Sequence, residues 1–414
     1  MTRIAIIGGK LQGTEAAYLA KKAGFTSILI DRNENSPAIG LCDEFLCCDI
    51  TQETEELIAA LKNADFVLPA NENQAVLDAL TGLAKKHCFP LAFDPEAYRI
   101  SSSKLLSDEL MHANGIPAPK YYPDCSGPYI AKPSSMSGSE GVQRLADQEA
   151  LLHFLKTVSE SEESWAKESR TKEGRSEEGQ TLWVIQEYLE GPSYSIEVIG
   201  APGFYKTYEV TQIHMDEVYD CKMVTSPCSI TAQQEDQFRN IAVKLAELTG
   251  LTGIMDVEVI DANGEFKVLE IDARIPSQTP TAVYHTSGVN FIEELRDVFC
   301  GEGLFPEKKQ KSNEQKNQKK NQAKNTKKKF CSYEHLMIND GRITEHGEHI
   351  MGQGGILSLR ERFYGADEVI SDYRSGEQIW RGTFINWADT EEELMAKRQS
   401  MRARLQAGPT ADLD

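Results

Sequence analysis

Hydrophobic and polar positions alternate at period two through Met255-Asp-Val-Glu-Val-Ile260 and again toward the end of Phe266-Lys-Val-Leu-Glu-Ile-Asp272. Such alternation predicts half-buried strands, and Asp261-Ala-Asn-Gly264 between them predicts a hairpin. The expected connection is a three-residue loop, a type I turn with glycine in the left-handed position. It pairs Asp261 with Glu265 and sets Asp256 opposite Glu270, with Glu258 diagonal to it. Asp256, Glu258, Glu270 and Asp272 then share one face, with Arg274 just beyond. A two-residue Asn-Gly turn would divide these carboxylates between two faces, because a slip of one residue inverts every side chain.

The same patterning orders the rest of the chain. Arg3–Ile7 is a buried strand, Gly8-Gly-Lys-Leu-Gln-Gly13 a glycine turn, Thr14–Ala23 a helix and Ser27–Ile30 a second strand closed by Asp31. This is a βαβ unit with its turn at a helix N-terminus, where anions and polar ligands are readily held. The strand Asp65–Pro69 delivers Asn71-Glu72-Asn73 to the carboxyl edge of the sheet. Ser101 to Gly115 reads as a helix with Lys104 in its first turn, where a cation gains nothing from the helix dipole. Tyr129–Lys132 is a short strand leading into Pro133-Ser-Ser-Met-Ser137-Gly138-Ser-Glu-Gly141, whose small residues let backbone amides approach phosphate. Leu182–Leu189, Tyr194–Ile199 and Glu209–His214 are strands, Tyr219–Thr225 a polar loop and Gln233–Leu248 an amphipathic helix. A strand at Gly382–Trp387 and a helix from Glu391 to Leu405 close the chain.

Composition narrows the class. The 414 residues are 40% hydrophobic and 26% charged, which describes a soluble globular protein of two to four domains. A net charge of −20 argues against a nucleic-acid footprint, and no apolar run is long enough to span a bilayer. The nine cysteines are scattered without a Cys-x-x-Cys pair, pointing to free thiols in a reducing cytoplasm. Two segments break the pattern. Ser159–Gln180 is polar and mixed in charge, a solvated insertion at a loop tip. Pro306–Lys329 holds ten lysines and two glutamates, a net of +8, and reads as a disordered lysine-rich linker before a separate module from Phe330. His346 and His349 receive no role, because neighbouring glycines argue against a helix there.

Four carboxylates on one patch resist joint ionisation, and a divalent cation removes the conflict. Oxygen ligands favour Mg²⁺, which takes one or two carboxylates plus substrate phosphates. A nicotinamide-dependent oxidoreductase is the rival reading of the glycine turn, but its spacing is G-G-x-x-x-G and it leaves the acidic array unexplained. A non-catalytic binding protein would not need Lys104, Lys132 and three metal-positioned carboxylates together.

Lys104, Lys132 with its glycine/serine loop, Gln186-Glu-Tyr-Leu189, Glu258 and Glu270-x-Asp272-x-Arg274, in that order behind a βαβ domain, resemble the ATP-grasp carboxylate–amine ligases. The strings GGKLQGTEAAYLAKKAG, PANENQ, FDPEAYRIS, YDCKMVT, GIMDVE and EIDARIPSQTP are similar to the pyrrolysine-biosynthesis ligases among them. The resemblance implies an α/β and α+β protein, an ATP-grasp fold with an N-terminal Rossmann-like domain. It implies domains at 1–97, 98–190 (with the insertion 159–180), 191–305 and 330–414, the last completing the fold after the insertion at 306–329. It implies ATP and Mg²⁺ as cofactors. Lys104, Lys132, Ser137, Gly138, Gln186, Glu187, Tyr188 and Leu189 would hold the nucleotide, and Glu258, Glu270 and Asp272 the metal. Arg274 would be catalytic, stabilising the transferring phosphoryl group or the tetrahedral intermediate.

The family reaction implied is activation of the carboxylate of 3-methyl-D-ornithine as an acyl phosphate and attack by the ε-amine of L-lysine. Two amino acids bring ammonium groups that need acidic partners, for which Glu72, Glu197 and Asp220 are the candidates. Lys10, Leu11, Gln12, Asp31, Asn73, Ser195, Arg274 and Ser277 complete the substrate set. Partners are then small amino acids, neither nucleic acid nor membrane, with homodimerisation left open. Two departures stand out: Asp272 occupies a position where the superfamily usually has Asn, and Ser193 replaces the acid common in its Gly-x-Glu-x-Ser segment. A related ligase acting on other amino acids would keep every nucleotide residue and change only the substrate set.

Overall fold

The structure, a computed structural model, describes residues 1–134, 141–169 (the backbone alone from 160), 183–301 and 328–408. The chain divides into two compact units that are not collinear with it. One holds Met1–Tyr98, Pro192–Val257 and Asp272–Asp414, the other Arg99–Gly191 and Glu258–Ile271.

The first unit begins with β1 (Arg3–Ile7), α1 (Leu11–Lys22), β2 (Thr26–Asp31), β3 (Glu44–Cys47), α2 (Glu55–Asn63), β4 (Phe66–Pro69) and α3 (Gln74–His87). Its four strands pair in parallel in the order β3-β2-β1-β4. β1 is an unbroken apolar run because helices cover both faces of such a sheet, and Ile4, Ala5 and Ile6 are fully buried. The crossover direction changes between β2 and β4, so the turn after β1 opens where ligands lodge in sheets of this kind.

Helix α4 (Pro95–Ser101) leads into the second unit, which contains α5 (Lys104–Ala113), β5 (Tyr129–Pro133), β6 (Gln143–Leu145), α6 (Gln148–Ser169) and β7 (Trp183–Glu187). Its antiparallel sheet has the order β6-β5-β7. Ser103 caps α5, its hydroxyl accepting from the Leu106 amide, which makes Lys104 the first helical residue. Helix α6 extends to Ser169 and so takes in the first half of the expected loop insertion. Residues 159–169 hold Glu, Ala and Lys but no Gly or Pro, so helix propensity carries the backbone onward. The remainder of that insertion lies outside the described residues, as does the lysine-rich tract except for Lys328 and Lys329.

The chain then returns to the first unit through β8 (Ser193–Ala201), β9 (Phe204–Thr207), β10 (Thr211–Met215), β11 (Cys221–Ser226), α7 (Ala232–Thr249) and β12 (Gly253–Ala262). It continues through β13 (Glu265–Asp272), α8 (Thr279–Ser287), α9 (Phe291–Cys300), β14 (Phe330–Asn339), β15 (Arg342–Glu345) and α10 (His349–Gly352). β16 (Ser358–Glu361), β17 (Glu368–Ser371), β18 (Ile379–Ala388) and α11 (Glu391–Ala407) complete it. The large sheet of this unit runs β12-β8-β10-β11-β14-β18-β17-β16.

Three expectations are corrected by this arrangement. The stretch Tyr219–Thr225 is not a loop throughout, because Cys221–Ser226 forms a strand with neighbours on both edges, β10 and β14. The segment from Phe330 is not a separate module, since β14 pairs with β11 and with the whole of β18. Polar residues concealed these strands because a mid-sheet strand takes its hydrogen bonds from partners distant in sequence. Finally, the hairpin turn has two residues. Asn263 (φ 58°) and Gly264 (φ 91°) are both left-handed between strands ending at Ala262 and resuming at Glu265. Positive φ at both positions is what a type I′ turn requires, and its twist suits the flanking strands. Burial along β13 also changes parity, from Phe266 and Val268 to Ile271, so simple alternation does not persist through Glu270.

Candidate active site

In the second unit two lysines meet two carboxylates. Lys104, at the start of α5, donates from Nζ to Glu270 Oε1 at 2.9 Å. Lys132 on β5 has its ammonium pKa lowered, first by burial and then by Lys104, against the opposing pull of Glu270 and Glu258. Glu258 and Glu270 therefore act on one ammonium despite the two-residue turn, in keeping with the parity change along β13. Asp108 is buried beside them, and desolvation raises its pKa to about 6, with the Lys132 and Lys104 charges opposing. Gln186 on β7 donates to Asp108 at 3.4 Å. The Glu187 amide already donates to the Lys120 carbonyl at 2.9 Å, and the Arg144 guanidinium lies 4.3 Å over the Tyr188 ring. A cavity of about 470 Å³ between α5 and β7, lined by Leu105, His112, Tyr121 and Trp183, contains neither lysine. Asp108, on which both lysines act, also lines it.

In the first unit the glycine turn is filled from within. Asp31 Oδ2 accepts from the Gly9 amide at 2.8 Å and from the Ser36 hydroxyl at 3.0 Å, while Oδ1 accepts from the Asn33 amide. A Cβ at Gly9 would meet Ser36 Oγ at 2.3 Å, and one at Gly13 would meet the Gly8 carbonyl at 2.1 Å. Close approach of neighbouring chain accounts for glycine at these two positions.

Beyond that turn lies a run of acidic side chains around one arginine. Gln12 donates to Glu72 at 2.8 Å, and Arg274 pairs with Glu72 at 2.5 Å and with Asp272 at 3.0 Å. Burial disfavours the guanidinium charge, but Asp272, Glu72 and Asp256 overcome that and hold its pKa above the ordinary value. Ser195 on β8 donates to Asp256 on β12. Glu197, two residues along β8, is fully buried, and neither of its oxygens makes a hydrogen bond. Desolvation first, and Asp256 next, push its pKa well up. Ser277 donates to Glu348 at 2.7 Å, and Asp220 accepts from His349 Nδ1 at 2.7 Å.

Comparison with known proteins places this arrangement. Residues 101–278 match the ATP-grasp domain, and residues 4–88 match the PylC-like N-terminal domain. The 3-methyl-D-ornithine–L-lysine ligase of Methanosarcina acetivorans is 39% identical over 97% of this chain and 96% of its own length. The Methanosarcina mazei enzyme of the same name is 39% identical over 85% of this chain and 82% of its own. The chain belongs to the 3-methyl-D-ornithine–L-lysine ligase family. Solved structures show the shared fold: an L-amino acid ligase from Bacillus licheniformis has a TM-score of 0.64 at 14% identity, covering 98% of both chains. The biotin carboxylase domain of the Hydrogenobacter thermophilus 2-oxoglutarate carboxylase, solved with MgADP, has a TM-score of 0.68 at 14% identity over 97% of this chain and 89% of its own. The protein is an ATP-grasp ligase, and the oxidoreductase reading falls.

Among the residues expected to serve this ligase, Lys104, Lys132, Glu258 and Glu270 come together in the second unit, and Gln12, Glu72, Asp272 and Arg274 in the first. Ser137 and Gly138 lie outside the described residues. Asp31 pins the β1–α1 turn, with both of its oxygens accepting from the chain. Asn73 caps α3, accepting from the Val76 amide at 3.1 Å. Among the described residues no three His, Cys, Asp or Glu side chains are gathered as a metal-binding set. Asp272 is instead held by Arg274.

Sequence reasoning missed two members of the acidic run and a histidine beside it. Glu15, on α1, is 1% exposed and accepts from the Thr281 amide at 2.6 Å. Its position among alanines and Tyr18, in the run Gly13–Ala20 that the helix buries, was the available signal. Glu348 and His349 precede and open α10, where glycine-rich surroundings hid them.

Proposed function

We propose that this ligase activates the carboxylate of 3-methyl-D-ornithine and joins it to the ε-amine of L-lysine, giving 3-methylornithyl-N6-lysine for pyrrolysine biosynthesis. The reading rests on two groups of the first unit that both feel the charge of Asp256, the arginine that meets Glu72 and Asp272 and the fully buried carboxylate of Glu197. That is the pairing an amino acid needs for its ammonium and its carboxylate. Named relatives at 36–39% identity support the choice of substrates.

The substrate carboxylate oxygen attacks the γ-phosphorus of ATP, and the bond to ADP breaks. The lysine ε-amine then attacks the acyl carbonyl, an amide bond forms, and phosphate leaves with the ammonium proton passing to solvent or phosphate. Lys104 and Lys132 bind the phosphates; desolvation of Lys132 strengthens its attraction for them. Arg274 has a planar fork of donors suited to a carboxylate or phosphoryl oxygen, and the acids around it keep it charged and fixed. Glu258 and Glu270 would give the two hard oxygen donors that Mg²⁺ takes alongside substrate phosphates. The ion, when bound, neutralises charge on the transferring phosphoryl group.

The test is ADP release by the purified protein with Mg-ATP, L-lysine and 3-methyl-D-ornithine or D-ornithine, each omitted in turn, with mass spectrometry of the product. ADP formed only with both amino acids, and a product at their summed mass less water, is the expected result. Turnover with some other acid–amine pair would keep the ligase and overturn the substrates.

A further inference from the structure

The second unit holds a cavity that the ligase chemistry does not use. Leu105, Asp108, Glu109 and His112 recur at helical spacing along α5 and form one wall. Trp183, Val184 and Ile185 of β7, the edge strand of its sheet, form another, together with Tyr121 and Tyr122. The Tyr122 amide donates to the Ile185 carbonyl at 3.1 Å, and Trp183 packs edge-on against Phe154, so the fold fixes these walls. The volume of about 470 Å³ falls within the range of about 300–1,000 Å³ that small-molecule sites occupy. Asp108 lines the cavity yet is only 7% exposed. Its bond from Gln186 is 3.4 Å long, beyond the usual span of about 2.7–3.2 Å. The Tyr121 hydroxyl is buried beside Asp108 and Gln186 and completes a well-formed hydrogen bond with neither. Capping does not explain Asp108 either, since it lies in the second turn of α5 and Ser103 already caps that helix. Leaving a buried carboxylate so poorly matched is costly, and a cation arriving with a ligand offsets the cost.

We propose that this cavity binds a small primary amine with an apolar body, its ammonium held on Asp108, and that its occupancy tightens the hold of the unit on ATP. Three aromatic side chains and two carboxylates around an apolar slot suit such a ligand. Aromatic rings attract cations, and an ammonium brings three donors to acceptors that lack them. Coupling to the nucleotide runs through Asp108, which acts on Lys132 and is itself acted on by Lys132, Lys104 and His112. Its negative charge offsets part of the field those lysines offer to phosphates. A cation seated on it cancels that offset, and by reciprocity the nucleotide then strengthens the binding of the amine.

The experiment is isothermal titration calorimetry of the full-length protein with tryptamine, tryptophol and indole-3-propionate, which share one ring and differ in charge. Tryptamine should bind at least about tenfold more tightly than the neutral alcohol, and the anion should not bind measurably. A preference under about threefold would overturn the proposal. Saturating tryptamine should lower the dissociation constant of the non-hydrolysable analogue Mg-AMP-PNP by about two- to fivefold, a modest factor because exposed Glu109 and His112 admit screening solvent. A raised constant would mean that amine and nucleotide compete, and an unchanged one that they are uncoupled; either overturns the proposal. Asp108→Asn keeps the shape and removes the charge. It should weaken tryptamine about tenfold or more, leave tryptophol unchanged and by itself tighten AMP-PNP, whereas a merely structural role would loosen it. Unchanged tryptamine affinity in this variant would overturn the proposal. If the variant does not fold by circular dichroism, Tyr122→Ala at the exposed wall decides, and tryptamine affinity unchanged there overturns it. None of these titrations needs an amino-acid substrate, so failure of the substrate reading in the ADP-release assay is a separate result.

Discussion

Replacing Glu15 by glutamine should stabilise the protein in alkaline solution and leave it nearly unchanged in acid. Burial raises the Glu15 pKa from 4.5 to about 7, against the opposing pull of its hydrogen bonds to Thr281 and Gln278. A carboxyl group whose pKa is raised on folding binds more protons in the folded chain than in the unfolded one. Its contribution to stability is fully present below the unfolded value of 4.5 and is lost as pH rises through 7. A shift of about 2.5 units at about 1.4 kcal/mol each gives a cost near 3 kcal/mol at pH 8, falling below about 1 kcal/mol at pH 5. Glutamine fills almost the same volume, can still accept from the Thr281 amide and carries no charge, so it should remove that cost. The assay is urea or thermal unfolding of wild type and Glu15→Gln at half-unit steps from pH 5 to pH 8.5. The variant should gain on wild type as pH rises, with the steepest change between pH 5 and 7. A difference that does not vary with pH would refute the reasoning, because it would mean Glu15 ionises alike in both states. A variant less stable than wild type at pH 8 would show that the ionised carboxylate as a cap of α8 outweighs its desolvation.

Other substitutions test each unit by itself and the hairpin that carries Glu258 and Glu270. Glu270→Gln removes the partner of Lys104 and a proposed metal ligand, and should lower kcat by at least about a hundredfold in the ADP-release assay while the fold persists. Arg274→Lys keeps the charge amid Glu72, Asp272 and Asp256 but loses the planar fork; kcat should fall by about 10² while stability changes little. Gly264→Ala meets open space yet must hold φ 91°, and should cost about 1 kcal/mol in unfolding free energy. Asp31→Ala frees the Gly9 amide and the Ser36 hydroxyl and should cost about 1–3 kcal/mol, with the ATP KM unchanged if the glycine turn is structural.

Period-two alternation, apolar runs and glycine punctuation made the parallel sheet, the hairpin and the lysine-bearing elements legible before any coordinates, because local patterns determine which face each residue presents. The ordered string of Lys104, Lys132, Glu258, Glu270 and Arg274 likewise pointed to the ligase family, since its chemistry demands those residue types. What local pattern could not determine was pairing over distance. Cys221–Ser226 becomes a strand only because β10 and β14 supply its hydrogen bonds, and β14 extends the sheet of the first unit across a long gap in sequence. The turn at Asn263-Gly264 is two residues long because the twist of paired strands favours type I′, a preference expressed only once they pair. Asp31 shows a further use that local pattern could not reveal: at the end of β2 both of its oxygens accept from the turn that follows β1 and from the loop beyond β2. Glu15, Glu197 and Glu348 are ordinary acids in the sequence. Only the packing of α1 and β8 around α8 removes Glu15 and Glu197 from water, and desolvation is a property of that packing alone.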